Sequence, residues 1–270
     1  MDMVDDAQPN TPTLALLGLP FDANASFLRG AALAPGRIRE ALFCGAMNLG
    51  CEDGLDLSQR ADWLDAGDVG AFTEIEAEAR RRLALGQRLL ALGGDHSVTY
   101  PLLRAYGPAF PGLTLLHLDA HPDLYDTFDG NPYSHASPFA RIMEAGLVKR
   151  LVQAGIRTLT PPLRRQAQRF GVEVIEMRDW HPGCLPPLDG PLYLSLDLDA
   201  LDPAFAPGVS HHEPGGFSTR DVLSIIQGLP GPLVGADIVE LNPTRDPLGM
   251  TAALAAKLCK EISARMLAWG

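Results

Sequence analysis

The sequence predicts an α/β fold of three layers (α/β/α), with helices on both faces of a mostly parallel central sheet. Short apolar runs alternate along the chain with longer stretches of helical periodicity, which is typical of β-α-β units. Several apolar runs lack any polar alternation, as expected of parallel strands buried on both faces. No Pro-, Gly- or Ser-rich linker divides the chain, so we expect a flexible N-terminal tail over residues 1–12 and one domain over residues 13–270.

Seven short apolar runs are predicted as strands: Leu14–Leu19, Leu89–Gly93, Leu113–Asp119, Leu151–Gly155, Glu173–Glu176, Leu192–Asp199 and Leu233–Val239. The helical pattern predicts seven helices: Pro35–Cys44, Thr73–Leu85, Val98–Tyr106, Ser137–Ala145, Pro162–Phe170, Thr219–Gln227 and Thr251–Ala268. Pro35, Pro101 and Pro162 fall in first turns, where a missing N–H costs little. Ser218 or Thr219, followed by Asp221, predicts the N-cap of the sixth helix.

The composition excludes some classes of partner. The 270 residues carry 33 acidic and 22 basic side chains, for a formal net charge of -11. Nucleic acids and anionic membranes bind through Lys and Arg, so an acidic chain argues against both. Metal ions and cationic ligands suit this balance better, although solubility alone also explains it. No apolar run approaches the roughly 18 residues of a membrane span.

The first residues and the cysteines predict a cytoplasmic location. The segment MDMVDDAQPNTPT lacks the basic and apolar regions of a secretory signal. Cys44, Cys51, Cys184 and Cys259 form no CxxC pair, and we expect all of them to be reduced thiols.

Polar clusters follow three predicted strands, and the first two contain histidine. In LALGGDHS, two glycines permit a tight turn that delivers His96 to the end of the strand. This loop lacks the GxGxxG and GxxxxGK[ST] spacings, which disfavours a phosphate-binding role. In LTLLHLDAHPDLY, alternate residues of an extended segment point the same way, so Asp119, His121 and Asp123 are expected to converge.

The third cluster, LYLSLDLDALDP, ends a strand with Asp197 and Asp199. Taken singly, each cluster is also explained by loop or capping hydrogen bonds. Carboxyl ends of parallel strands share one edge of a sheet, so together the clusters predict four carboxylates and two imidazoles around one volume. Such carboxylates repel one another without a cation. Carboxylate and imidazole ligands without thiolate favour Mn²⁺ or a similar ion, and a pair of ions indicates metal-assisted hydrolysis.

The motifs GGDHS, DAHPD and SLDLDALDP, in this order, resemble the signatures of the ureohydrolases, the arginase–agmatinase family. The similarity extends from FLRGAALAPGRIREALFCG to ADIVELNPTRDPLGMTAALAAKL, over nearly the whole chain. The stretches YSHASPFARIMEAG and LDPAFAPGVSHHEPGGFSTRDVL look most like plant-type arginases and their bacterial relatives. The resemblance implies an arginase-like fold and a hydrolase that cleaves a guanidino substrate to urea and an amine.

The resemblance also implies two Mn²⁺ ions per subunit. One ion would be held by His96, Asp119, Asp123 and Asp197, and the other by His121, Asp119, Asp197 and Asp199. Asp119 and Asp197 would bridge the ions. A hydroxide between them, oriented by Asp123, would attack the guanidinium carbon. Because the ligands must be deprotonated to bind metal, activity is expected to fall at acid pH.

Two further residues match catalytic positions of the family. His135, in NPYSHASPF, matches the proton shuttle, and its alternative is a packed His at a helix entry. Glu240, in DIVELNP, matches the carboxylate that pairs with the guanidinium, and its alternative is a surface ion pair. His117 lies deeper in its strand, so we expect it to support the ligands or to pack in the core, not to bind metal. His211 and His212 are expected at the rim of the pocket.

The substrate is less constrained than the reaction. Animal-type arginases read the α-groups of arginine with an Asn and a Ser, where this chain has Tyr125 and Asn131 as candidate substrate-binding residues. The plant-like pattern shares this departure, and the nearest basic residue, Arg141, falls in the following helix. We expect L-arginine, cleaved to L-ornithine and urea.

Several alternatives to arginine hydrolysis stay open. They are agmatine, another guanidino acid, formiminoglutamate and a catalytically silent metal-binding relative. All six ligands and His135 are present, which argues against the silent relative. The resemblance also implies a homotrimer or homohexamer.

Overall fold

A computed structural model describes residues 14–268, which are organised around one eight-stranded sheet. The strands are β1 (Leu14–Gly18), β2 (Trp63–Asp68), β3 (Arg88–Leu92), β4 (Thr114–Leu118), β5 (Arg150–Ile156), β6 (Glu173–Glu176), β7 (Leu192–Asp197) and β8 (Leu233–Val239). Their order across the sheet is β2-β1-β3-β8-β7-β4-β5-β6, and each pair of neighbours is parallel. The predicted tail, residues 1–12, lies outside the described residues.

The helices are α1 (Ala34–Leu42), α2 (Ile75–Ala84), α3 (Thr99–Ala109), α4 (Pro138–Glu144), α5 (Pro161–Phe170), α6 (Thr219–Gly228) and α7 (Met250–Leu267). At the start of α6, the Ser218 hydroxyl and the backbone N–H of Asp221 form the predicted cap. Within residues 14–268, no helix has the length and apolar character needed to cross a membrane.

The core has two parts, one on each face of the sheet. Along β1, Leu14 and Leu16 face the side that α1, α6 and α7 cover. Ala15 and Leu17 face the side that α2, α3, α4 and α5 cover. Burial of both faces explains why the central strands are continuous apolar runs. The predicted three-layer α/β/α class is confirmed.

Strand β2, at one edge of the sheet, is not among the strands predicted from the sequence. Its sequence, WLDAGD, contains neither an apolar run nor a clean alternation, because the strand is only partly buried. Asp65 and Asp68 of this strand bind Arg39 of α1, with an Arg39 Nε to Asp65 Oδ2 distance of 2.8 Å. Such charges are typical of edge strands, where they discourage pairing with other chains.

Candidate metal centre

The turn after β3 places His96. Gly94 packs so closely against Phe21 that a Cβ atom there would collide with the Phe21 carbonyl oxygen, so this position requires glycine. The Asp95 carboxylate accepts hydrogen bonds from the Ser97 N–H and the Asn24 N–H, which ties the turn to the loop after β1. His96 is fully buried at the carboxyl edge of the sheet.

The segment after β4 departs from the predicted extended geometry. The strand ends at Leu118, and the Asp119 carboxylate accepts the His121 N–H at 2.6 Å. Asp123 has a φ of 48°, in the left-handed region that residues other than glycine rarely occupy. Asp119, His121 and Asp123 therefore converge through tight turns, not through strand alternation.

The turn after β7 shows a similar departure. The predicted strand Leu192–Asp199 ends at Asp197, and a short 3₁₀ turn follows. The Asp197 carboxylate accepts the Asp199 N–H at 2.8 Å and so caps this turn. Both carboxylates remain buried at the same edge of the sheet as His96.

Distances between these side chains define two connected groups. His96 Nδ1 lies 3.1 Å from Asp197 Oδ2, 3.2 Å from Asp123 Oδ2 and 3.3 Å from Asp119 Oδ2. His121 Nδ1 lies 3.0 Å from Asp199 Oδ2 and 3.4 Å from Asp119 Oδ1. Asp119 directs one oxygen to each group, so the structure brings all six predicted ligands into one cluster.

The chemistry of this cluster fits bound metal. His96 Nδ1 is buried without a hydrogen-bond partner, although three carboxylate oxygens surround it. Burial, followed by the charges of Asp199 and Asp119, raises the pKa of Asp197 well above its usual range. Burial is also the main cause that raises the pKa of Asp199 to about 6. A divalent cation would relieve this repulsion, and nitrogen and oxygen donors without sulfur suit a first-row ion such as Mn²⁺.

His117 supports Asp119 from below the cluster, as its depth in the strand predicts. The Gln153 amide donates to both the Pro122 carbonyl, at 2.7 Å, and His117 Nδ1, at 3.0 Å. His117 Nε2 therefore carries the proton and donates it to Asp119 Oδ2 at 2.7 Å. Burial lowers the pKa of His117, in keeping with a neutral imidazole.

His135 and Glu240 form a buried pair beside the cluster. Glu240 directly follows β8 with a φ of 67°, and its Oε1 accepts the His96 N–H at 2.9 Å. The same oxygen lies 2.9 Å from His135 Nδ1. Burial opposes a charge on His135, but Glu240 raises its pKa to about 9. An imidazole with this pKa is protonated at neutral pH and can donate a proton.

Ser26 is a site residue that the sequence analysis missed. Its Oγ lies 2.8 Å from His135 Nε2, and its side chain lines the cavity described below. The loop sequence DANASF carries no recognisable motif, and only the folded chain brings it to His135.

A cavity of about 270 Å³ opens over these groups. Its described lining contains no Lys or Arg and consists of Ser26, His121, Pro122, Asp123, Tyr125, Phe128, His135, Ala136, Thr158, Thr160, Leu163, Asp197, Asp199, His211 and Glu240. Carboxylates at the base and neutral side chains elsewhere suit a small ligand with one cationic end.

The remaining predicted residues differ in how they relate to this cavity. Tyr125 lines it, and the His211 ring lies 5.2 Å from that of His135. Asn131 is not part of the described lining; its amide donates to the Asn24 side chain and accepts the Tyr133 N–H. His212 also lies outside the described lining, and its Nε2 donates a hydrogen bond to the Pro207 carbonyl.

Comparisons with known proteins find relatives that match nearly the whole chain. The family model described as "Arginase family" matches residues 12–264. The mitochondrial arginase 1 of Arabidopsis thaliana is 47% identical over 276 residues, which are 93% of this chain and 80% of that protein. An N(1)-aminopropylagmatine ureohydrolase of Thermus thermophilus is 38% identical over 88% of this chain and 85% of that protein. The solved arginase of Medicago truncatula superposes with a TM-score of 0.88 at 44% identity, covering 95% of this chain and 88% of that one.

The comparisons contradict the expected cytoplasmic location. Similar plant relatives are named as mitochondrial, and one at 47% identity as chloroplastic or mitochondrial. The prediction was wrong because a missing secretory signal and unpaired cysteines do not distinguish the cytoplasm from a mitochondrion or chloroplast. All four cysteines are free, as expected, but thiols stay reduced in any reducing compartment. Features of a secretory signal concern export alone.

Proposed function

This chain belongs to the arginase family, and on that premise we propose that it converts L-arginine to L-ornithine and urea at two Mn²⁺ ions. Family membership makes it a hydrolase acting on the C–N bond of a guanidino group. The observation that carries the finer proposal is the cluster of four carboxylates and two imidazoles beside the His135–Glu240 pair, next to one cavity.

Two divalent ions would match the charge of the cluster, because its carboxylates Asp119, Asp123, Asp197 and Asp199 are four in number. His96, Asp119, Asp123 and Asp197 would hold one ion, and His121, Asp119, Asp197 and Asp199 the other. The contacts of Asp119 with both histidines support its bridging position. Bound Mn²⁺ would supply activated water at neutral pH.

Two side chains next to the cluster would handle the substrate and the proton. Glu240 would pair with the planar guanidinium, because a carboxylate matches its charge and its paired N–H groups. His135, protonated at neutral pH, would give its proton to the leaving amine. Asp123 would orient the attacking water from its place beside His96.

The similarity to plant arginases favours arginine as the substrate. Tyr125, on the cavity wall, would contact the amino acid part of the substrate, and for Asn131 a substrate-binding role stays a prediction. Agmatine is a second candidate, because the described lining of the cavity offers no Lys or Arg for a carboxylate. The resemblance to a protein named N(1)-aminopropylagmatine ureohydrolase favours the same class.

A urea-release assay with Mn²⁺ tests the proposal directly. L-arginine, agmatine and N(1)-aminopropylagmatine are compared at equal concentration, and L-arginine is expected to give the highest kcat/KM. The Asp119→Ala protein serves as the blank. A higher kcat/KM for agmatine would support agmatine as the substrate. No urea from any compound would indicate a catalytically silent metal-binding protein.

We also propose that residues 13–270 fold as one domain and that the protein assembles as a homotrimer or homohexamer. Size-exclusion chromatography with light scattering measures the mass of the protein in solution, and the mass of a single chain would contradict the proposed assembly.

A further inference from the structure

Asp237 is a fully buried carboxylate that lies outside the predicted site. It occupies the middle of β8, between β3 and β7, and has 0% exposure. Its described hydrogen-bond partners are three hydroxyl groups. Ser195 donates to Oδ1 at 2.7 Å, while Tyr193 and Thr99 donate to Oδ2 at 2.9 Å and 3.1 Å. Burial of a carboxyl group is costly unless hydrogen bonds compensate for the lost water, as these three hydroxyl groups do.

Ser195 connects this carboxyl group to the candidate metal centre. Its Oγ lies 3.0 Å from His96 Nε2 and is itself fully buried. A serine hydroxyl has one proton, and Ser195 donates that proton to Asp237. The Ser195 oxygen can therefore only accept a hydrogen bond from His96, which requires the proton of His96 to be on Nε2.

This arrangement decides which nitrogen of His96 is left unprotonated and can bind a metal ion. With Nε2 protonated, the remaining lone pair belongs to Nδ1, the atom within 3.1–3.3 Å of Asp197, Asp123 and Asp119. An ionised Asp237 has no proton of its own to donate, so its Oδ1 can only accept the Ser195 proton.

We propose that Asp237 is a positioning residue that acts through Ser195 to set the tautomer and orientation of His96 for metal binding. Tyr193 and Thr99 hold the carboxyl group in place from its other oxygen. The inference rests on the metal dependence in the proposed function and is independent of the substrate. Partners that orient a metal-binding histidine typically contribute about 10–100-fold to metal affinity.

The test measures the dissociation constant of Mn²⁺ itself by isothermal titration, without substrate. Ser195→Ala removes the acceptor, and Asp237→Leu frees the serine proton to bond His96 Nε2. Each is expected to weaken Mn²⁺ binding about 10–100-fold. Asp237→Asn keeps an acceptor oxygen for Ser195 and is expected to restore affinity to within about 3-fold. Tyr106→Phe, the matched control, removes a fully buried tyrosine hydroxyl that accepts the Leu89 N–H and is expected to leave Mn²⁺ affinity within about 3-fold of wild type.

A second measurement keeps the inference testable if Asp237→Leu does not fold. In protein loaded with diamagnetic Zn²⁺, ¹⁵N NMR is expected to show a slowly exchanging His96 Nε2–H, which Ser195→Ala exposes to exchange. Wild-type affinity in Ser195→Ala, or equal losses in Asp237→Asn and Asp237→Leu, would overturn the inference. Wild-type protein that binds Mn²⁺ but releases no urea would instead overturn the proposed function alone.

Discussion

His135 Nδ1 lies 2.9 Å from Glu240 Oε1, in a pair that is buried at the base of the cavity. Each member is proposed to meet a different part of the substrate, so the two roles are linked. A guanidinium that binds Glu240 competes with the imidazolium for the same carboxylate. Binding of the cation therefore weakens the hold of His135 on its proton at the point where the proton is needed.

The His135–Glu240 pair predicts a defined pH dependence of stability in the metal-free protein. The pKa of His135 is raised from 6.5 to about 9, so its contribution to the free energy of unfolding is complete below pH ~6.5 and is lost as the pH rises through ~9. Urea denaturation at pH 6 and pH 10 is expected to show a large difference between wild type and His135→Gln at pH 6 and a smaller one at pH 10. A difference independent of pH would contradict the ion pair.

Removal of the shared ligand is expected to abolish metal binding. Asp119 contacts both His96 and His121, so Asp119→Ala should lose bound Mn²⁺ and activity together. Metal affinity and activity should each fall by more than the roughly 10–100-fold caused by removing a residue that only supports a ligand. Metal content by mass spectrometry and urea release measure the two effects. Asp126→Asn, at an exposed position in the same segment, is the control. An active Asp119→Ala protein with full metal content would be incompatible with the assigned ligands.

Replacement of the proposed proton donor should separate turnover from metal binding. His135→Gln is expected to lower kcat by about 10²–10⁴-fold, the usual range for loss of a general acid. Metal content should remain at the wild-type level, because the described hydrogen bonds of the His135 ring within residues 14–268 join Ser26 and Glu240, not the proposed ligands. Unchanged kcat would exclude His135 as the donor.

Neutralisation of Glu240 tests the guanidinium contact. Gln can still accept the His96 N–H, but it lacks the charge that pairs with the substrate. Loss of a charge-assisted hydrogen bond costs about 1.5–3 kcal/mol, so Glu240→Gln should lower kcat/KM by about 10–100-fold. A value equal to that of wild type would place Glu240 outside the substrate contact.

Ser26 is expected to orient the His135 ring without taking part in the proton transfer itself. Loss of the hydrogen bond to Nε2 in Ser26→Ala is expected to lower kcat by about 2–10-fold, from the ~0.5–1.5 kcal/mol of one hydrogen bond. Ser26→Thr, which keeps the hydroxyl, should recover most of the loss. If both variants match wild type, the contact has no part in turnover.

Topology accounts for only part of the predicted site, since His135 and Glu240 were predicted from the family resemblance. Parallel strands end at one edge, so His96, Asp119 and Asp197 could be placed together before their turns were known. The turns themselves were not predictable, because the left-handed backbone of Asp123 depends on tertiary contacts that override local preference.

The residues that it missed depend on partners distant in sequence. Asp237 lies in an otherwise apolar strand, and its three hydroxyl partners come from β7 and α3. Ser26 meets His135 across more than a hundred residues. A carboxylate within an apolar strand marks Asp237 as unusual, but only the three-dimensional contacts show which groups it and Ser26 bind.

Asp123 and Glu240, both proposed site residues, have a left-handed backbone conformation that lowers stability. A left-handed residue other than glycine costs on the order of 1–3 kcal/mol, and glycine would remove most of that strain. At Asp123, glycine would also remove one of several mutually repelling carboxylates. At Glu240, loss of the His135 pair and of the His96 N–H acceptor would offset this gain. A selection for heat resistance alone would therefore favour glycine at Asp123 and recover durable proteins that lack one of the proposed metal ligands.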